Sequence, residues 1–329
     1  MKNPLPSTRR YSIMISPPSF FTYQPFEDYE KELLNCWIMA SKVFQSFDST
    51  YENRKITIKT DWRKIKNQFK DSIEAPGELL ISVVGNHECL DELSDFFTIR
   101  FLEMMFITMN ISTPGSINMY DTELKNLNQD SDPYNKNWKI SLGSSPFETF
   151  WETSGDLRNW PKVQFLPLNE VVSWYRKLKI LFKQRASSNI ERCFNALINY
   201  CQGNGFSPAD FIWITHSLEA LYDTPKEGIV TSLKNRIFLF LGTPDSHSKE
   251  LRKKIGELYD FRSNFVHGSM EIARAPFFEN LDQELWNYMN EIHKLSDFGI
   301  MLLLSSVQKI INENANSLKF YEVFETGEK

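Results

Sequence analysis

Tyr259-Asp260-Phe261-Arg262-Ser263-Asn264-Phe265-Val266-His267-Gly268 closes a long helical pattern, and its reading decides the fold of the carboxy-terminal half of this chain. Leu258, Phe261 and Phe265 recur at i, i+3 and i+7, an apolar stripe facing a core. Asp260, Asn264 and His267 recur at i, i+4 and i+7 on another face, which places the Asn264 amide where it can orient the His267 ring or bind a phosphate oxygen. Arginine carries its charge at any pH, and histidine can move a proton near neutrality. On an ideal helix, five residues at 100° each set Arg262 and His267 about 140° apart. The two can then converge only if the last turn unwinds before Gly268, if the arginine uses its full reach, or if a second copy meets the first across a twofold axis.

Outward from this segment the helical periodicity continues. Val171–Lys183, Ser188–Cys201, Pro208–Tyr222, Glu227–Leu241, Lys249–His267 and Leu281–Asn312 each read as a helix. Gly203-Asn204-Gly205, Thr224-Pro225 and Gly242-Thr243-Pro244-Asp245 separate them. Ser207 followed by Pro208 reads as an N-cap and first helical position, and Thr224-Pro225 as another such start. Residues 166–329 are therefore expected to form an antiparallel helical bundle of five or six helices.

Residues 1–165 have a different texture. Tyr11–Ser16, Lys55–Thr60 and Lys139–Leu142 alternate with period two, and Leu79–Val84 reads as a more buried strand closed by Gly85-Asn86. Glu30–Phe44 and Leu90–Met109 read as helices, the second with Phe96, Phe97, Phe101, Met104 and Met105 turned inward. Pro114-Gly115 and Asp130-Ser131-Asp132-Pro133 read as turns or loops. The expected class is α+β: a mixed domain over 1–165 and an all-α domain over 166–329.

The composition fits a globular protein, with 41% hydrophobic and 24% charged residues, and the 26 phenylalanines predict aromatic-rich cores. Met1–Pro6 is polar and lacks the apolar run of a secretory leader, and no apolar run approaches the ~20 residues that span a bilayer. A cytoplasmic protein that makes no membrane contact is expected. Cys36, Cys89, Cys193 and Cys201 show neither CxxC pairing nor metal-ligand spacing and read as reduced thiols. His87, His247 and His293 have no partner at metal-ligand spacing, and P-loop, Rossmann, HExxH and GxSxG patterns are missing from the sequence. No metal and no cofactor is expected. The net charge of −5 is uneven: Glu170–Gly268 carries 14 Lys/Arg against 10 Asp/Glu, and Ser269–Lys329 carries 5 against 10. The positive stretch favours a polyanionic partner.

Three further groups stand out. Arg236 falls on the apolar face of Ile229, Leu233, Arg236 and Phe240 and needs a partner, for which Glu219 in the preceding helix is the candidate. The pair reads as a structural ion pair or, alternatively, as part of a cleft. Arg176, Lys179 and Lys183 fall at i, i+3 and i+7, with Lys177, Arg185 and Arg192 nearby, and read as a solvated helix face or as a track for an RNA backbone. Trp174 and Tyr175 read as core or, alternatively, as rings that stack on bases, and His216 as a packed or hydrogen-bonded structural histidine on a stripe with Trp213 and Ala220.

The tyrosine, the arginine-serine pair and the closing histidine-glycine of the 259–268 segment resemble the HEPN superfamily, and most closely its Apea-like branch. Ser217-Leu218-Glu219-Ala220-Leu221 and Asn235-Arg236-Ile237-Phe238-Leu239-Phe240-Leu241 resemble earlier helices of that branch, so the resemblance covers about residues 170–315. It implies a metal-independent endoribonuclease in which Arg262 and His267 act on RNA, with a composite site at a homodimer interface built by the helical half. It also implies a toxin or anti-phage effector of the abortive-infection kind, with the amino-terminal half sensing a trigger or holding the nuclease in check, or an antitoxin doing so. The alternative is a non-catalytic HEPN module that dimerises or binds RNA or nucleotides. A third reading is a subunit that binds a partner protein.

Overall fold

The computed structural model describes residues 6–17, 27–68, 76–128, 136–148, 160–203, 208–244, 247–270, 272 and 283–321. The fold is α+β. Its amino-terminal half runs β1 (Pro6–Ile15), α1 (Glu27–Val43), β2 (Ser46–Tyr51), β3 (Arg54–Asp61), α2 (Arg63–Gln68), β4 (Gly77–Asn86), α3 (His87–Ser112), β5 (Met119–Asn126), β6 (Trp138–Leu142) and α4 (Ser145–Glu148). The strands form one sheet of six in the order β2-β3-β4-β1-β5-β6. Its pairs are antiparallel, and the longest register runs from Pro6↔Asn86 to Ile15↔Gly77. Alternation decides which face is covered: Leu79, Ile81 and Val83 of β4 are fully buried, while Leu80, Ser82 and Val84 on the other face are half-buried. Strands were expected at β1, β3, β4 and β6, and form there. The edge strand β2 and strand β5 were not anticipated.

Helix α3 packs against the sheet through β1 and β4. Asn86 caps it by accepting from the Glu88 N–H. From Phe101 to Ser112 every residue is buried, so the helix is enclosed on all sides rather than amphipathic. Most polar groups of this stretch find partners: Thr108 donates to Met104 O at 2.7 Å, and the Asn110 amide N–H donates to Phe106 O and Ile117 O, while its Oδ1 accepts no hydrogen bond among the described residues. Glu103 takes the Arg100 guanidinium at 2.6 Å, and burial still holds its carboxyl above the usual range.

The carboxy-terminal half contains α5 (Leu168–Leu178), α6 (Asn189–Gln202), α7 (Asp210–Leu221), α8 (Ile229–Leu241), α9 (Ser248–Val266) and α10 (Gln283–Asn312). Ser188 closes a capping box with Glu191 at the start of α6. Gly299 lets α10 cross tightly over α7 and α9: an added Cβ would lie 2.6 Å from Ile214 Cγ2 and 3.2 Å from Leu258 Cδ1. The apolar core runs continuously from the sheet to these helices. At the seam the Gln308 amide donates to Ile111 O at 2.8 Å and Gln164 O at 2.7 Å, while its carbonyl accepts from Gln164 N. No helix among the described residues is long and apolar enough to cross a membrane.

Three expected helix bounds need correction. Pro208 is not a first helical position, because its helix starts at Asp210 after Ala209. The helix expected to reach Lys183 ends at Leu178, where Lys179 turns left-handed (φ 56°). Ile180 and Phe182 beyond it are buried at a spacing of two, which mimicked a continuing apolar stripe. Thr224-Pro225 does not start a helix, because α8 begins at Ile229 after left-handed Gly228. Ser207, Asn204-Gly205, Asp245, Leu281 and the Asp130–Pro133 turn lie outside the described residues.

Candidate functional site

Helix α9 carries the candidate residues on its last two turns. Leu251, Ile255 and Leu258 bury one stripe, and Phe261 extends it by packing on Phe211 with ring centroids 4.4 Å apart. This fixes the helix's rotation and turns Asp260, Asn264 and His267 to solvent. The helix ends in a Schellman motif: Ser269 N–H donates to Asn264 O at 3.0 Å, Gly268 N–H donates to Phe265 O at 3.2 Å, and Gly268 is left-handed at φ 69°. Unwinding is therefore confined to His267 and Gly268. His267 is the C-cap (φ −90°, ψ 3°) and its backbone N–H is held by Ser263 O.

Tyr259, one turn before Arg262, anchors the site to α7. Its hydroxyl donates to Glu219 Oε1 at 2.7 Å. Burial first, and the Glu219 carboxylate second, push the Tyr259 hydroxyl up to about 12, against the opposing pull of Arg262. The phenol thus stays protonated and donating across the physiological range. Arg262 lies over the Tyr259 ring, 5.6 Å from its centroid. The result is a chain of contacts: carboxylate, phenol, guanidinium. Glu219 belongs to it through Tyr259, a residue that had been read only as part of the motif.

The other expected contacts differ. Asn264 does not orient His267; its side-chain oxygen accepts from the Ser269 hydroxyl at 3.3 Å. No hydrogen bond joins Arg262 to His267 among the described residues. Arg236 does not pair with Glu219. Its guanidinium donates to Tyr222 O at 2.9 Å and to Asp223 O, and lies over the Phe320 ring at 4.9 Å. Those carbonyls close the carboxy-terminal end of α7, where Asp223 is left-handed (φ 49°), so Arg236 caps a helix end with a full charge. His216 is exposed rather than packed. Trp174 and Tyr175 are buried as expected.

Arg176, Lys179 and Lys183 do not share one helix face, because α5 stops between the first two. Arg176 lies over Phe47, and Lys183 pairs with Glu191 at 2.6 Å. Burial works to raise the Glu191 carboxyl. Lys183, the Ser187 N–H and hydroxyl and the Ser188 N–H together overcome it and hold the carboxyl at about 2. Among the described residues no group of three or more His, Cys, Asp and Glu side chains is placed to hold a metal ion. Comparison with known proteins finds no matching family model, no similar curated protein and no similar solved structure.

Proposed function

We propose that this protein is a metal-independent endoribonuclease whose reaction is carried by Arg262 and His267. The observation that supports the reading is the outward face of α9: Arg262 is held over Tyr259, itself anchored on Glu219, and His267 caps the same helix in solvent. A fixed cation and a proton-transfer group on a rigid helix end suit RNA transesterification. In this scheme His267 takes the proton of the ribose 2′-hydroxyl, whose oxygen attacks the adjacent phosphorus. Arg262 balances the charge that builds on the non-bridging oxygens. The bond from phosphorus to the 5′-oxygen breaks, and that oxygen gains a proton from His267 of the partner subunit. The products are a 2′,3′-cyclic phosphate and a 5′-hydroxyl.

The reason for a homodimer is the ideal-helix geometry, which sets Arg262 and His267 about 140° apart on one chain, together with the resemblance: two copies of α9 meeting across a twofold axis would pool two of each. We place the activity in a toxin or anti-phage role, with the sheet half as the regulatory part; this rests on the resemblance alone. The test is cleavage of a mixed RNA pool, with and without excess EDTA, by wild type, Arg262→Ala and His267→Ala, alongside light scattering. Expected are cut ends bearing cyclic phosphate, indifference to EDTA, loss of roughly 10²-fold or more in either variant, and a dimer. Inhibition by EDTA, or full activity in His267→Ala, rejects the mechanism. Absence of cleavage, with candidate triggers present, favours a binding module.

A further inference from the structure

A second feature stands apart from Arg262, His267 and Tyr259. Between the β2–β3 hairpin and the connection from α5 to α6 lies an open cleft of about 700 Å³. That is the size of cleft that takes a small organic ligand. Phe47, Tyr51 and Phe182 give it an apolar floor, and Arg176, Lys179 and Lys183 stand around it.

Two details of its construction suggest a ligand. The first is a ready platform. The Arg176 guanidinium carbon lies 4.6 Å from the Phe47 ring centroid, and Arg176 also donates to Asp48 O at 3.5 Å. Phe47 is itself braced edge-on by Phe101. The guanidinium is thus held over one ring, and because Arg176 is exposed its other side is open to a second planar group. The second detail is Lys179. It is the left-handed C-cap of α5, a position where glycine is free of strain and lysine is not. No hydrogen bond or ion pair engages its ammonium among the described residues. Lys179 is one of seven non-glycine residues with positive φ among those described, so its free ammonium at the rim of the cleft, not its strain, is what bears on a ligand. Two carboxylates, Asp48 and Glu52, share the lining with four cations, Lys55, Arg176, Lys179 and Lys183; Asp48 is taken by Lys55 at 3.1 Å and by the Thr57 hydroxyl at 2.6 Å.

We propose that this cleft binds a nucleotide unit, its planar base stacked on Arg176 and its phosphate held by Lys179. The unit can be a free nucleotide or one residue of a single-stranded RNA, since both present the same chemistry. Calorimetric titrations of the full chain with adenosine 5′-monophosphate, adenosine, and a 2′-O-methylated adenosine decamer separate the two sources. Binding of the monophosphate assigns a free nucleotide, and binding of the decamer alone assigns a strand. In either case Lys179→Gly and Arg176→Ala should each weaken binding about fivefold or more, and adenosine should bind more weakly than its monophosphate. Lys179→Gly should also raise the melting temperature by relieving the left-handed strain. If it lowers it instead, Arg176→Ala decides. Failure of both the monophosphate and the decamer to bind, or a change under about fivefold in Arg176→Ala, overturns the proposal. Neither ligand can be cut at its 2′-oxygen and neither variant alters α9, so the result is independent of whether the chain cleaves RNA.

Discussion

The Tyr259 hydroxyl donates to Glu219 Oε1 at 2.7 Å, tying the helix that carries Arg262 and His267 to the helix two before it. Tyr259→Phe removes the donor and leaves a half-buried carboxylate without it. The expected cost is about 1–2 kcal/mol of stability by urea unfolding. Because Arg262 lies on this ring, RNA cleavage should fall further, roughly tenfold, through loss of positioning. A loss of stability with unchanged cleavage would show that the phenol supports only the fold.

Gly268→Ala meets open space, since nothing lies within 4 Å of the added methyl, but it meets it at φ 69°. The cost is backbone strain alone, about 1 kcal/mol, and Gly268→Asn should cost less. Thermal unfolding of the three proteins side by side checks the order. A change to alanine that costs nothing would mean that the Schellman turn does not form in solution.

Arg236→Met should cost about 1–2 kcal/mol by leaving the Tyr222 and Asp223 carbonyls without their charged donor. Since Glu219 is not its partner, combining it with Glu219→Gln should be additive within about 0.5 kcal/mol. A coupling well above that value would restore the ion pair that the structure lacks.

Stability should fall in acid as Glu191 is protonated. Its carboxyl is held at about 2 when folded, below the ordinary value of the unfolded chain, so the stabilisation is complete above about pH 4.5 and is lost as pH falls from there towards 2. Glu191→Gln should destabilise by on the order of 2 kcal/mol at pH 7 and flatten the profile in that window. Unfolding midpoints from pH 7 to 2 for both proteins test this; parallel profiles would remove Glu191 as the cause.

Periodicity made much of this fold legible. Leu251, Ile255 and Leu258, or Tyr11, Ile13 and Ile15, bury one face because of their spacing, and local spacing is what a sequence displays. β2 escaped because an edge strand needs little burial: of Ser46–Tyr51 only Phe47 is fully buried. The end of α5 was hidden because Ile180 and Phe182 stay apolar after the helix has stopped. For Arg236 the need for a partner was legible, but backbone carbonyls at a helix end have no letter in the sequence. The link from Glu219 to Tyr259 spans 40 positions and depends on how α7 meets α9, which neither segment encodes alone.

Gln308 gives the molecule an order of completion. The carbonyls of Ile111 and Gln164 receive the Gln308 amide from α10, which leaves the ribosome after everything it fastens. A nascent chain that has already made α3 still shows its apolar flank until α10 arrives. The sheet half, if it restrains the helical half, therefore reaches its finished form no earlier than the part it restrains. Synthesis interrupted before α10 should yield a species that proteases clear rather than a half-working protein.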